Sequence, residues 1–121
     1  LALHIAGNLQ HFIGAVLGGT GYVRDRDAEF ARRDVSRDEI LREIDAAIAA
    51  IERGLQSIGD DALPGVYPEK VAGREVVTAD YLVHLSSHLS YHLGQLDYHR
   101  RIVTGDGRTV NAVAAKDLPV R

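Results

Sequence analysis

At 121 residues, with 45% apolar and 26% charged residues, the chain has the length and balance expected of one soluble globular domain spanning residues 1–121. A formal net charge of −3 argues against a nucleic-acid partner, which would want a basic patch, and no apolar run approaches the roughly 18 residues of a membrane span. There is no cysteine and no visible signal peptide, which predicts a cytoplasmic protein without disulfides, whose thiol chemistry, if any, comes from a small-molecule partner.

No methionine occurs, even at position 1, and Leu1 already lies inside a helical pattern, so a further helix is expected upstream. From Leu1 to about Leu17 the residues Ile5, Leu9, Phe12, Ile13 and Val16 recur at helical spacing. His4, Asn8 and His11 line one flank of that stripe, within an arc of about 60°. Gly18, Gly19 and Gly21 supply the stop. Residues 22–35 alternate in charge through Arg24, Asp25, Arg26 and Asp27 and read as a solvated loop with internal ion pairs, pinned to the core by Phe30.

Ser36 and Glu39 form a capping box that opens a helix running to about Ile58. Its expected buried face is Ile40, Leu41, Ile44, Ala47, Ile48, Ile51 and Leu55, and with no histidine it reads as scaffold. Residues 59–77, with Pro64, Gly65, Pro68 and Gly73, form a connection longer than is usual between helices, with a short extended piece expected at Val71 and Glu75–Val77.

Thr78 is the expected cap of a helix reaching Thr104, with Asp80 in its first turn, Arg100 and Arg101 in its last, and Gly105 as its stop. Leu82, Leu85, Leu89, Leu93, Leu96 and Val103 make its apolar stripe. His84, His88 and His92 follow one another at four-residue spacing over an arc of about 80°, and His99 falls inside it. Residues 106–121 read as an irregular tail or partner-contacting arm.

A run of three histidines at this spacing should arise by chance in about one to two chains per hundred of this composition, so a metal site is the better reading. Two imidazoles one turn apart can converge on an ion at about 2.0–2.1 Å. No glutamate follows the first histidine of either pair, so the general base of the helical zinc proteases is missing. A third ligand would come from the histidine-bearing edge of the first helix. His4 and His11 stand about 10 Å apart along its axis, so one of them, not both, can join His88 and His92. Three histidines with an open position form the catalytic type of site, whereas structural zinc wants four closed ligands.

The segment His88-Leu-Ser-Tyr-His92-Leu-Gly94-Gln95 resembles the His-x-x-x-His-x-Gly-Gln signature of the DinB-like (YfiT-like) superfamily of metal-dependent enzymes. His4-Ile-Ala-Gly-Asn8 resembles that family's upstream His-x-Ala motif, and the order and separation of the two agree. The resemblance implies an all-α, DinB-like four-helix bundle of up-down-down-up type, with the first helix absent from this sequence. It implies zinc or nickel bound by His4, His88 and His92. Several members are S-transferases using bacillithiol, mycothiol or glutathione, and one is a mycothiol-dependent isomerase. The expected function is therefore metal activation of a low-molecular-weight thiol toward a small-molecule substrate, or a related hydrolysis. The alternative is a non-catalytic metal-binding or interaction module.

No residue is assigned to catalysis beyond the ligands. Gln95, one turn from His92, is a candidate for orienting a ligand ring or binding substrate. Asn8, His11, His84 and Tyr91 are further candidates for support or substrate contact. Three amphipathic helices without a fourth would expose an apolar face, which predicts a partner segment or, as a homodimer, a second copy of the chain.

Overall fold

The computed structural model describes residues 1–108, 110 and 115–118. The protein is all-α, with helices α1 (Ala2–Leu9), α2 (Arg26–Ala31), α3 (Arg37–Ser57) and α4 (Thr78–Thr104). Helix α1 passes without a break into a π-helical segment, Gln10–Ala15, in which the Val16 and Gly18 amides donate to carbonyls five residues back, His11 and Ile13. The predicted helix to Leu17 is thus present, but its second half is wound wider than an α-helix. The Phe12 carbonyl in this segment accepts the Tyr67 hydroxyl at 2.6 Å.

Helix α1 is the element that all the others meet. It and its π-helical extension pack on α3, and α1 also meets α2 and α4. The crossing with α3 is close because both sides are small. A Cβ on Gly14 would stand 2.7 Å from Ala50 Cβ, and one on Gly54 would stand 2.7 Å from Ile13 Cγ2 and 2.9 Å from the Ile13 carbonyl carbon. Side chains of α3 also satisfy carbonyls left open where the first helix ends. Arg53 Nε donates to the Gly18 carbonyl at 2.9 Å and Ser57 Oγ to that of Leu17 at 2.8 Å.

This crossing explains a difference from the sequence expectation. Ala47 is buried and Ile51 packs on the core, but Leu41, Ile44, Ile48 and Leu55 are 38–50% exposed. The residues at the seam are Ala47, Ala50 and Gly54. Periodicity weighted the large aliphatics, whereas the close approach selects the small residues and turns the large ones toward the helix edge.

The core is built from Leu9, Ile13, Tyr67, Tyr81 and Leu85. Tyr67 comes from the connection between α3 and α4 and meets Tyr81 edge-on at 4.7 Å, while Phe12 meets Tyr81 at 5.3 Å. That connection holds a 3₁₀ turn, Asp60–Ala62, and two isolated bridges, Val66 with Val77 and Val71 with Arg74, in place of an extended strand. Thr78 is the first helical residue of α4 and not its cap. Its hydroxyl and its amide both reach the Gly65 carbonyl, at 3.1 and 2.9 Å, which ties the helix start to the connection. Helix α4 ends at Gly105 with φ of 69°, as a glycine stop should. Leu93 and Val103, assigned to its apolar stripe, are 51% and 64% exposed; the last stripe residue packed against the core is Leu89.

Residues 22–35 differ most from expectation. They contain α2, capped by Asp25 accepting from the Ala28 amide at 2.9 Å. Of the expected tail, the described part holds the Asp106–Arg108 ion pair and a 3₁₀ turn at Ala115–Asp117, and residues 109, 111–114 and 119–121 lie outside the described residues. Among the described residues no helix is long and apolar enough to cross a membrane.

The crossing predicts opposite outcomes for two glycine substitutions. Gly54→Ala forces a methyl group into the Ile13 backbone and should lower stability by about 1–3 kcal/mol despite the better helix propensity of alanine. Gly94→Ala on α4 meets nothing within 4 Å and should raise stability by up to about 1 kcal/mol. Urea midpoints of the two variants and the parent check both.

Candidate metal centre

His4 projects from α1, and His88 and His92 from adjacent turns of α4. Each offers one ring nitrogen, and these atoms all lie within 4.8 Å of one another. His88 Nε2 and His92 Nε2 stand 3.0 Å apart. Two ligands bonded at about 2.0–2.1 Å to one ion are separated by about 2.9–3.4 Å, so the α4 pair already has the spacing of a shared coordination sphere. The His4 ring meets the other two edge-on, with centroids at 5.4 Å from His88 and 5.1 Å from His92.

The far nitrogens of two rings are tied down. His92 Nδ1 donates to Gln95 Oε1 at 2.7 Å, one turn along α4. His4 Nδ1 lies 3.0 Å from Glu29 Oε2 and 3.3 Å from the Arg24 guanidinium. The Glu29 oxygen, the nearer of the two contacts, calls for a proton on Nδ1, and the Arg24 guanidinium, itself only a donor, is the longer one; with Nδ1 held by Glu29, Nε2 is the nitrogen left for an ion. Glu29 is in turn gripped through both oxygens by Arg24, at 2.7 and 2.8 Å. Phe30 covers the His4 ring, centroid to centroid 4.7 Å. His84 stacks at 5.7 Å on Tyr81 and at 6.2 Å on His88, which places it behind the site.

Charge follows from this arrangement. Burial would raise the Glu29 pKa, but hydrogen bonds and charge from Arg24 and His4 outweigh it and hold the carboxyl below the usual range. The same hydrogen bond raises Arg24 further above neutrality. Burial, then the neighbouring His92 and His4, push the His88 pKa down, so His88 is held in the neutral form that a metal requires.

Of the other candidates, Gln95 is at the site and Tyr91 is beside it, largely exposed, 5.4 Å from the His92 ring. Asn8 is buried one turn after His4, and its Oδ1 has no hydrogen-bond partner. His11 does not join the centre; its Nε2 donates to Glu69 at 3.1 Å across the α3–α4 connection. His99 is exposed.

Arg24 and Glu29 were missed. The reading of residues 22–35 as a solvated loop is corrected: the Glu29 side chain is 5% exposed. Asp25 preceding Ala28 by three residues is a cap signal that could have revealed α2. Nothing local points from Glu29 to His4.

The donor set fits a divalent ion with affinity for imidazole. Three imidazole nitrogens converge, and among the described residues no fourth histidine or carboxylate joins the group. A family model described as a protein of unknown function, DUF1572, matches residues 1–115. No curated protein and no solved structure matches the chain.

The depressed His88 pKa has a consequence for the metal-free protein. Its folded value lies below the unfolded value of about 6.5, so the unfolded chain takes up the proton first. Stability is therefore fully present above about pH 6.5 and is lost as pH falls through the folded value. Urea midpoints in a chelator should drop between pH 7.5 and pH 5, and His88→Gln should flatten that dependence.

Proposed function

We propose that this chain, which belongs to the DUF1572 family, is a metal-dependent enzyme of the DinB-like (YfiT-like) type acting in the cytoplasm, with zinc or nickel held by His4, His88 and His92. The observation that carries the reading is the convergence of three imidazoles without a fourth protein ligand among the described residues. Three protein ligands with a free position are the pattern of catalytic sites. A divalent ion bound there would lower the pKa of a thiol or water in that position.

The side chains around the centre bear on which of the two is used. Hydrolysis needs a carboxylate or similar base free to take a proton from water. The carboxylate in contact with the triad, Glu29, is committed to Arg24 and His4. A low-molecular-weight thiol needs no such base once its pKa is lowered, so we favour transfer of that thiol to an electrophilic small molecule, with hydrolysis as the close variant. Phe30, 44% exposed, and Tyr91, 66% exposed, flank His4 and His92 and offer the substrate apolar rests.

A second reading, a non-catalytic metal-binding or interaction module, draws on the exposed aliphatic edge of α3 and on Tyr98, Ile102 and Val103 of α4, which are 64–67% exposed. Under either reading we propose that a second copy of the chain covers these faces, forming a homodimer.

Metal analysis of protein purified without a histidine tag is the direct test, and zinc or nickel should appear at about one ion per chain. Added Zn²⁺ should raise the melting temperature at pH 7.5 and do little near pH 5, because the ion must displace protons from imidazoles with an unperturbed pKa of about 6.5. In His88→Ala the rise should vanish at both pH values; a rise that persists would place the ion on other ligands. Light scattering should give twice the chain mass, and a monodisperse monomer would exclude the dimer.

A further inference from the structure

Helix α2 is six residues long, too short to be stable alone. Its neighbouring residues Glu29 and Phe30 hold the His4 ring from two directions: the carboxylate meets Nδ1 at 3.0 Å in the hydrogen-bonding direction, and the phenyl ring lies over the imidazole at 4.7 Å. Room for this carboxylate is made on α1. A Cβ on Gly7 would overlap Glu29 Oε1 and stand 2.9 Å from Glu29 Cδ. The far end of a glutamate usually swings aside at little cost, but here Arg24 fixes both oxygens, at 2.7 and 2.8 Å. Burying a charged carboxylate is costly unless it is paired and fully hydrogen-bonded. Arg24 alone would satisfy the charge; the extra bond to His4 and the missing side chain at Gly7 are not needed for that.

We propose that Glu29 is a positioning residue for the metal centre: clamped by Arg24 and admitted by Gly7, it holds His4 in the Nδ1–H tautomer and aims Nε2 at His88 and His92. This rests on the three-histidine reading above and extends it to a residue 25 positions away from its target in sequence. A carboxylate behind a ligating histidine fixes the ring's tautomer and orientation and makes the outer nitrogen a better donor. An imidazole free to rotate or to change tautomer would present Nε2 to the centre only part of the time. His92 has a counterpart in Gln95, a neutral and weaker orienter at 2.7 Å. The carboxylate is spent on the ligand that comes from the other helix, whose approach α4 cannot dictate.

The test begins with metal-free wild-type protein, so it does not depend on any variant folding. Long-range ¹H–¹⁵N correlation spectra should show His4 protonated on Nδ1 and bare on Nε2; a dominant Nε2–H tautomer would overturn the proposal outright. Zn²⁺ affinity is then measured by competition with a chromophoric chelator for the wild type, Glu29→Gln, Gly7→Ala and His4→Ala. Glu29→Gln should weaken Zn²⁺ about 10–100-fold and leave His4 as a mixture of tautomers. Gly7→Ala, which keeps the carboxylate but displaces it, should weaken binding in the same direction. Visible spectra of the Co²⁺-loaded proteins should change in both variants, a signature that a purely structural role for Glu29 would not move. If Glu29→Gln keeps wild-type affinity and His4 tautomer while His4→Ala loses the metal, Glu29 is not a positioning residue and the three-histidine site stands. If His4→Ala binds as tightly as wild type, the site reading itself fails.

Discussion

The structure depends on how closely other elements approach the first helix. That helix meets α3, α2 and α4, and on two of those sides the contact is made where it has no side chain. At Gly14 the neighbour is the Ala50 methyl group, and at Gly7 it is the Glu29 carboxylate. Both positions are costly for helix formation, by about 1 kcal/mol each relative to alanine. The close crossing with α3 recovers this through dense contact, as the small-residue seam of Ala47, Ala50 and Gly54 allows backbone to lie against side chain. The crossing also sets where His4 stands. With α1 held against α3, its polar edge faces α4 and α2, and the histidine meets its partners from the opposite helix.

The π-helical turn and the connection after α3 belong to the same arrangement. Wider winding at Gln10–Ala15 is accompanied by Tyr67, fully buried, whose hydroxyl bonds the Phe12 carbonyl inside the widened segment. Burial drives the Tyr67 pKa upward and that of Tyr81 to about 12, so both phenols stay protonated and available as donors at any physiological pH. The connection thus contributes a core residue from outside the four α-helices, and it also carries Glu69, the hydrogen-bond partner of His11.

What the sequence made legible follows from range. Helix boundaries depend on residues three or four apart, so the Ser36 cap, the Gly105 stop and the histidine ridge were readable from spacing. The motif resemblance pointed to His4 over His11; with His4 beside His88 and His92, His11 stands two turns further along the same helix and contacts Glu69 instead. The buried face of α3 was misread because periodicity reports where large apolar residues lie, and here glycine and alanine mark the contact. Arg24 and Glu29 were illegible for a different reason. A charged run reads as solvated unless its partners are known, and the partner of Glu29 is on another helix. Thr78 was misassigned for the same cause, since the Gly65 carbonyl that its hydroxyl prefers is thirteen positions earlier.

The charge around the three histidines bears on the proposed chemistry. Neutral imidazoles bring no charge to an ion, and Glu29, the buried carboxylate that contacts them among the described residues, is matched by Arg24 at hydrogen-bond distance. The protein would therefore leave the double charge of a bound divalent ion uncompensated in a setting partly shielded from water. Attraction for an anion grows as the effective dielectric falls. Under the proposed function, such a centre would favour an anionic occupant of the open position and would lower the pKa of any thiol or water that entered as the neutral form. A carboxylate ligand in place of one histidine would neutralise part of that charge and weaken the effect. In the proposed arrangement Glu29, on the Nδ1 side of His4, would orient the ring while Arg24, paired with both of its oxygens, offsets its charge.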